Sequence, residues 1–188
     1  MTGAGADSPL DAGLHLLLGG ARSGKSSRAL ALAEAAHRAR GLDPVYLATA
    51  EAHDDEMRER IARHRAERVG AWRTVEAPLD LPEAVARAAG ADTVLLVDCL
   101  TLWATNLMLA DRDAEAATEA LIAACDAARR DAAGPVLVVS NEVGLGIVPD
   151  NALARRFRDV AGRMNQRLAA AADRVEFVAA GLPLRLKG

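Results

Sequence analysis

The sequence predicts an α/β fold, a mainly parallel central sheet flanked by helices on both faces, on three observations. Short apolar runs at residues 14–18, 45–48, 94–97, 136–139 and 175–178 are mostly separated by helical stretches, the alternation that sandwiches parallel strands between helical layers. The runs are continuous rather than alternating, as strands covered on both faces require. The first run leads directly into Gly19-Gly20-Ala21-Arg22-Ser23-Gly24-Lys25-Ser26, and an alanine- and leucine-rich stretch follows to residue 40. A complete G-x-x-x-x-G-K-S loop between a strand and a helix points to a P-loop NTPase, RecA-like, with a nucleoside triphosphate as ligand.

Each residue type in that loop has a chemical reason. Glycines let the backbone wrap phosphates with its N–H groups turned inward, Lys25 reaches the β- and γ-phosphates, and the Ser26 hydroxyl suits Mg²⁺. The bland alternative is a glycine turn with Lys25 as a solvated charge.

The remaining elements follow in order. Asp80 reads as an N-cap with Pro82 in the first turn of a short helix ending near Gly90. Residues 111–130 form a second helical region. Residues 150–173 are clearly amphipathic: Leu153, Phe157, Val160, Met164 and Leu168 recur at spacings of three and four and are expected in the core. Arg155, Arg156, Arg158, Arg163 and Arg167 are expected mostly as a solvated face.

The 188 residues fit one domain, with residues 1–12 as a flexible leader and 13–188 as a single nucleotide-binding catalytic domain. Residues 1–11 lack the charged-then-apolar pattern of a signal peptide, and no run of 18 apolar residues predicts a membrane span. The net charge of −3 gives no general attraction to nucleic acid. Cys99 and Cys125 are too few for a disulfide framework or a zinc site, so they read as core residues of a cytoplasmic protein.

Two further positions carry chemistry. Asp98 ends the apolar run 94–97, where the C-terminal edge of a sheet would place it in the ligand crevice to hold Mg²⁺; alternatively it caps the next helix. His64 lies in 54–68, a stretch that begins acidic and turns basic as a helix dipole favours. It shares a helical face with Met57, Ile61 and Arg68, and Arg60 and Arg68 lie four residues to either side. Neighbouring positive charge favours neutral imidazole, the nucleophilic form. A hydrogen-bonded packing histidine is the competing reading. His15, His37 and His53 have weaker claims.

The phosphate loop, Tyr46-Leu47-Ala48-Thr49-Ala50, Asp54-Asp55-Glu56-Met57, Arg63-His64-Arg65, Trp72-Arg73-Thr74-Val75-Glu76, Asn141-Glu142-Val143-Gly144-Leu145-Gly146-Ile147-Val148-Pro149 and the stretch from Arg158 to Leu168 together resemble one family. It is the bifunctional adenosylcobinamide kinase/adenosylcobinamide-phosphate guanylyltransferase of cobalamin biosynthesis, and the resemblance covers nearly all of the chain after residue 13. It implies phosphorylation of adenosylcobinamide by ATP or GTP, then transfer of GMP from GTP through a guanylyl-histidine at His64. It also implies nucleotide contacts by Ala48, Thr49, Ala50, Arg65, Ala66, Glu67, Arg68, Glu76 and Asp98, the last standing where many members carry glutamate. A homotrimer with corrinoid bound near subunit boundaries is implied as well. Glu142 is a candidate contact or proton acceptor for the cobinamide hydroxyl, or a residue that stabilises its own loop. Competing classes are a small-metabolite kinase without a covalent intermediate and a RecA-like nucleotide switch.

Overall fold

The computed structural model describes residues 10–52, 55, 58–59, 62, 72–131 and 133–188. Among them the chain runs β1 (Leu14–Gly19), α1 (Lys25–Arg40), β2 (Asp43–Ala48), β3 (Arg73–Glu76), α2 (Leu81–Ala88), β4 (Thr93–Asp98), α3 (Leu100–Leu109), α4 (Ala114–Arg130), β5 (Val136–Asn141), α5 (Ala152–Ala171), β6 (Arg174–Ala179) and β7 (Leu182–Lys187). The seven strands form one sheet in the order β3-β2-β4-β5-β1-β6-β7. All neighbours are parallel except β6 and β7, so the sheet is mainly parallel as its continuous apolar runs required.

Helices cover both faces, unevenly. Among the described residues α1 alone packs on one face, where Leu17, Leu96, Leu137 and Val139 meet Ala29, Leu32, Ala33 and Ala36. The small residues of α1 allow the close helix–sheet approach that a single covering helix needs. The opposite face carries the other helices, with Leu16, Val45, Leu47, Leu95 and Val138 against Leu81, Trp103, Leu107, Leu121 and Leu168. Leu10 is also buried, and its carbonyl accepts from Arg40 Nη1 at 3.0 Å.

Several elements differ from the sequence expectation for local reasons. Helix α3 gives no periodic signal because Leu100, Thr101, Trp103, Ala104, Asn106 and Leu107 are all buried, and a helix covered on most sides has no polar stripe. The region expected from residue 111 begins as a helix only at Ala114, where Asp113 accepts the backbone N–H groups of Glu115 and Ala116 at 2.9 and 3.0 Å. Asp80 is the N-cap residue of α2 without a side-chain cap; its carboxylate takes Arg112 at 3.3 Å instead. Leu153 is exposed rather than core, since α5 enters its packing layer only at Phe157 and Val160. Strands β3 and β7 are short or wholly exposed edge strands, and β7 folds back through a tight turn at Ala180 and Gly181 (φ 51° and 79°).

One buried charge cluster ties α1 to the sheet. Arg28 Nε and Nη2 donate to the two oxygens of Glu176 on β6 at 3.0 and 3.2 Å, and Arg174 also donates to it. Burial alone would raise the pKa of Glu176, but hydrogen bonds from Arg28 and Arg174 outweigh it and hold the carboxyl below its usual value. Its folded pKa therefore lies below the unfolded one. The resulting stability is fully present above the ordinary glutamate pKa of about 4.3 and is lost as pH falls through the depressed folded value. Glu176→Gln removes the carboxylate to which both guanidiniums donate and is expected to cost about 3–5 kcal/mol. Urea denaturation near neutral pH checks the loss, and the variant should also lack this part of the acid dependence.

Candidate nucleotide site

Strand β1 connects through α1 to β2 on one side, while its neighbour β5 connects through α5 to β6 on the other. Adjacent strands whose connections depart in opposite directions open a crevice at their carboxyl ends, where α/β sheets bind ligands. Gly19 ends β1 opposite Asn141 on β5, so the loop 20–24 leaves the sheet at this switch point.

The loop's backbone is strained and anchored. Arg22 (φ 56°) and Gly24 (φ 95°) are left-handed, the kind of turn that gathers successive N–H groups into an anion-binding concavity. The carbonyl of Gly19 accepts from Glu142 N–H at 3.0 Å, and that of Ser23 from Gly181 N–H at 2.8 Å. A Cβ on Gly19 would lie 2.4 Å from the Val178 carbonyl and 2.5 Å from Ser23 Oγ, whereas one on Gly20 would meet nothing within 4 Å. Ser23 Oγ is buried and has no hydrogen-bond partner. Lys25 is buried in the first turn of α1, its Nζ donating to the Gly20 carbonyl at 3.0 Å. Ser26 follows it, and the crest residues Ala21 and Arg22 are exposed.

Asp98 is the last residue of β4, half-buried and paired in register with Ala48 of β2. The N-cap position of α3 is taken by Cys99, whose own side chain makes no cap hydrogen bond. The Asp98–Cys99 peptide is cis. Burial first, then the Asp98 carboxylate, push the Cys99 thiol up, while Lys25 pulls it down. The thiol stays protonated and inert.

Beyond Asp98, Ala48 ends β2 in register with Glu76, the exposed last residue of β3. Thr49 is fully buried; its hydroxyl donates to the Cys99 carbonyl at 2.8 Å and accepts the Cys99 N–H at 2.9 Å. Ala50 is half-buried beside it. The structure therefore brings the loop 19–26, residues 48–50, Glu76 and Asp98 to one sheet edge. His64, Arg65, Ala66, Glu67 and Arg68 lie outside the described residues, as do His53, Met57, Arg60 and Ile61.

A polar network at this edge escaped the sequence. Asn141 Nδ2 donates to Thr101 Oγ1 at 2.7 Å, Thr101 Oγ1 lies 3.1 Å from Cys99 Sγ, and Asn165 Nδ2 donates to the Asn141 carbonyl at 3.1 Å. Asn106 Nδ2 donates to the carbonyls of Thr49 and Pro78 at 2.7 and 3.0 Å. Apart from the Cys99–Thr101 contact, these partners are far apart in the chain and have no shared motif. Glu142 Oε1 accepts the N–H of Gly144 at 2.6 Å, which favours the loop-stabilising alternative for that residue. His15 is buried in β1 facing away from chemistry, its Nε2 donating to the Asp11 carbonyl at 3.0 Å, and His37 donates from Nδ1 to the Leu42 carbonyl at 2.7 Å.

A glycine loop between β1 and α1, at the switch point and facing an acidic strand end, defines a P-loop protein of the RecA-like type. The chain belongs to the CobU family, cobinamide kinase/cobinamide phosphate guanyltransferase, whose sequence model matches residues 15–186. It is 48% identical over 175 residues to the bifunctional adenosylcobalamin biosynthesis protein CobP of Pseudomonas aeruginosa, covering 92% of this chain and 96% of that one. It is 41% identical over 187 residues to the protein of that description named CobU from Salmonella typhimurium, covering 92% and 98%. Flagellar accessory protein FlaH from Methanocaldococcus jannaschii shares the fold, with a TM-score of 0.57 at 15% identity over 95% of this chain and 79% of its own. No helix among the described residues is long and apolar enough to cross a membrane.

Two glycine substitutions separate packing from ligand contact. Gly19→Ala should lose both stability and nucleotide binding, because its methyl collides with backbone. Gly20→Ala should keep stability within about 0.5 kcal/mol yet bind nucleotide about tenfold or more weakly, since space that is open in the protein is expected to hold phosphate. Thermal melts with titration of a fluorescent GTP analogue check both.

Proposed function

We propose that this chain phosphorylates adenosylcobinamide with ATP or GTP and then transfers GMP from GTP to adenosylcobinamide phosphate, releasing pyrophosphate, with one phosphate loop serving both steps. Family membership supports the pair of reactions, as do relatives described as bifunctional adenosylcobalamin biosynthesis proteins. The observation that carries the nucleotide part is the anchored loop at the switch point with the buried, partnerless hydroxyl of Ser23 inside it. A donor left unmade in a protein interior is costly, and a phosphate oxygen would satisfy it.

In the first step the cobinamide hydroxyl oxygen bonds to the γ-phosphorus, the bond to the β-bridging oxygen breaks, and the nucleoside diphosphate leaves. Loop amides and Lys25 stabilise charge on the phosphoryl oxygens while holding them in line. Lys25 must exchange its Gly20 carbonyl for those oxygens, a short swing within the loop. In the second step a His64 ring nitrogen bonds to the α-phosphorus of GTP and pyrophosphate leaves. A phosphate oxygen of the cobinamide phosphate then displaces the imidazole, giving adenosylcobinamide-GDP. Arg65, Ala66, Glu67, Arg68, Glu76 and residues 48–50 are assigned to the nucleotide on the same reading.

Ser26 and Asp98 would hold Mg²⁺. One hydroxyl and one carboxylate suit an ion that retains waters and takes its other ligands from phosphates, and among the described residues no cluster of three or more His, Cys, Asp or Glu forms an all-protein metal cage. When bound, the ion would neutralise charge on the triphosphate. The reading takes residues 13–188 as a single catalytic domain, cytoplasmic and homotrimeric.

His64→Ala is expected to abolish protein labelling from α-³²P GTP while ATP-dependent phosphorylation of cobinamide persists. Labelling that survives the substitution would remove His64 from the nucleophile's role. Asp98→Ala should raise the Mg²⁺ concentration needed for half-maximal turnover by about tenfold or more with the melting temperature little changed. Turnover assays across a Mg²⁺ titration measure it.

A further inference from the structure

Beyond β5 the chain runs through Leu145, Gly146, Ile147, Val148 and Pro149 before α5. Ile147 is 96% exposed, Leu145 82%, Val148 58%, and Leu153 in the first turn of α5 is 58% exposed. Four large apolar side chains are thus exposed within nine residues, a denser grouping than the singly scattered apolar residues of an ordinary surface. The backbone beneath them is fastened. Glu142 Oε1 takes the N–H of Gly144 at 2.6 Å, and Arg155 Nη1 donates to the carbonyls of Pro149 and Asp150 at 2.9 and 2.6 Å. Arg158 Nη1 reaches the Gly146 carbonyl at 3.4 Å. Arg155 and Arg158, expected as part of a solvated face, are thus supports of this segment.

The segment is also fixed to the reaction centre. Glu142 N–H bonds the carbonyl of Gly19, the first residue of the phosphate loop, and Ile147 follows five residues later, at most about 17 Å of extended chain. An apolar platform preorganised there lies within reach of whatever presents a hydroxyl to the γ-phosphate. A corrinoid has matching chemistry: a broad ring edged with methyl groups and amide arms, carrying its reactive hydroxyl on a flexible side arm. Nucleotide, with its charged phosphates and polar base edge, has none of that apolar rim.

We infer that the Leu145–Val148 segment, with Leu153, is the platform on which the corrin ring of the acceptor substrate rests, so that its hydroxyl arm reaches the phosphate loop. This rests on the function proposed above. Glu142 and the two arginines act as positioning residues, holding the platform in place without touching the reacting atoms.

The test is the double variant Leu145→Ser with Ile147→Ser, assayed beside the unsubstituted protein and Leu186→Ser. Leu186 is also an exposed apolar residue, lying between Arg185 and Lys187, which pair with Glu176 and Val175 at the start of β6, the end of the sheet away from the loop. Losing two buried contacts should raise the KM for adenosylcobinamide about tenfold or more. GTP affinity, melting temperature and oligomeric state by analytical ultracentrifugation should stay unchanged, and Leu186→Ser should leave that KM within about twofold. An unchanged KM in the double variant overturns the inference, and a concurrent change of oligomeric state would assign the patch to a second copy of the chain. Absence of cobinamide-dependent turnover in the unsubstituted protein would instead overturn the functional reading, and this inference with it.

Discussion

A loop that turns its N–H groups toward a phosphate leaves its carbonyls pointing elsewhere, and each must find a donor or lose stability. Here the two flanks of the loop are satisfied by backbone from different parts of the fold. Gly19 takes Glu142 N–H as β5 ends, and Ser23 takes Gly181 N–H from the turn between β6 and β7. Both donors exist only because β5 and β6 flank β1 in the sheet. The strand order, the tight β6–β7 turn and the buried Glu176–Arg28 contact on α1 therefore converge on one result: a strained loop fastened at both flanks by the fold's own backbone.

The same edge of the sheet is stiffened on its other side by side chains. Thr49 joins β2 to the start of α3 through both backbone groups of Cys99, Asn141 joins β5 to Thr101, and Asn165 joins α5 to β5. Networks of this kind are costly when incomplete and rigid when satisfied. They hold the ends of β2, β4 and β5 in register, so a triphosphate laid across the crevice meets fixed groups along its length. On the proposed mechanism this edge presents the γ-phosphorus to a hydroxyl in one step and the α-phosphorus to a histidine in the other.

How much of this could be read from the chain depends on how local each requirement is. The phosphate loop was legible because a strand, a glycine pattern, Lys25 and Ser26 must be contiguous, and the parallel strands because burial on both faces writes continuous valine and leucine runs. Helix α3 was not, since Trp103 and Leu107 are surrounded by buried neighbours and leave no amphipathic period. Strand β7 has a clean alternation of leucines at 182, 184 and 186, yet these are exposed at an edge. Thr101, Asn106 and Asn165 gave no signal because their partners are more than 20 residues away. Leu153 kept the helical period of its stripe but lies ahead of the point where the sheet supplies a partner. The roles given to Glu76 and residues 48–50 came from family resemblance, while Asp98 was also legible as the acid ending an apolar strand; what the fold adds is that all of them share the loop's edge.

The central claim is that a single cradle serves both reactions, and Lys25→Met tests it most directly. The variant protein would be incubated with GTP and Mg²⁺ and weighed intact by mass spectrometry for a guanylyl adduct, and separately assayed for phosphorylation of adenosylcobinamide. A shared cradle predicts that adduct formation and phosphorylation fall together, each by about a hundredfold or more. Wild-type guanylylation beside lost kinase activity would place the two reactions in separate sites and contradict the account.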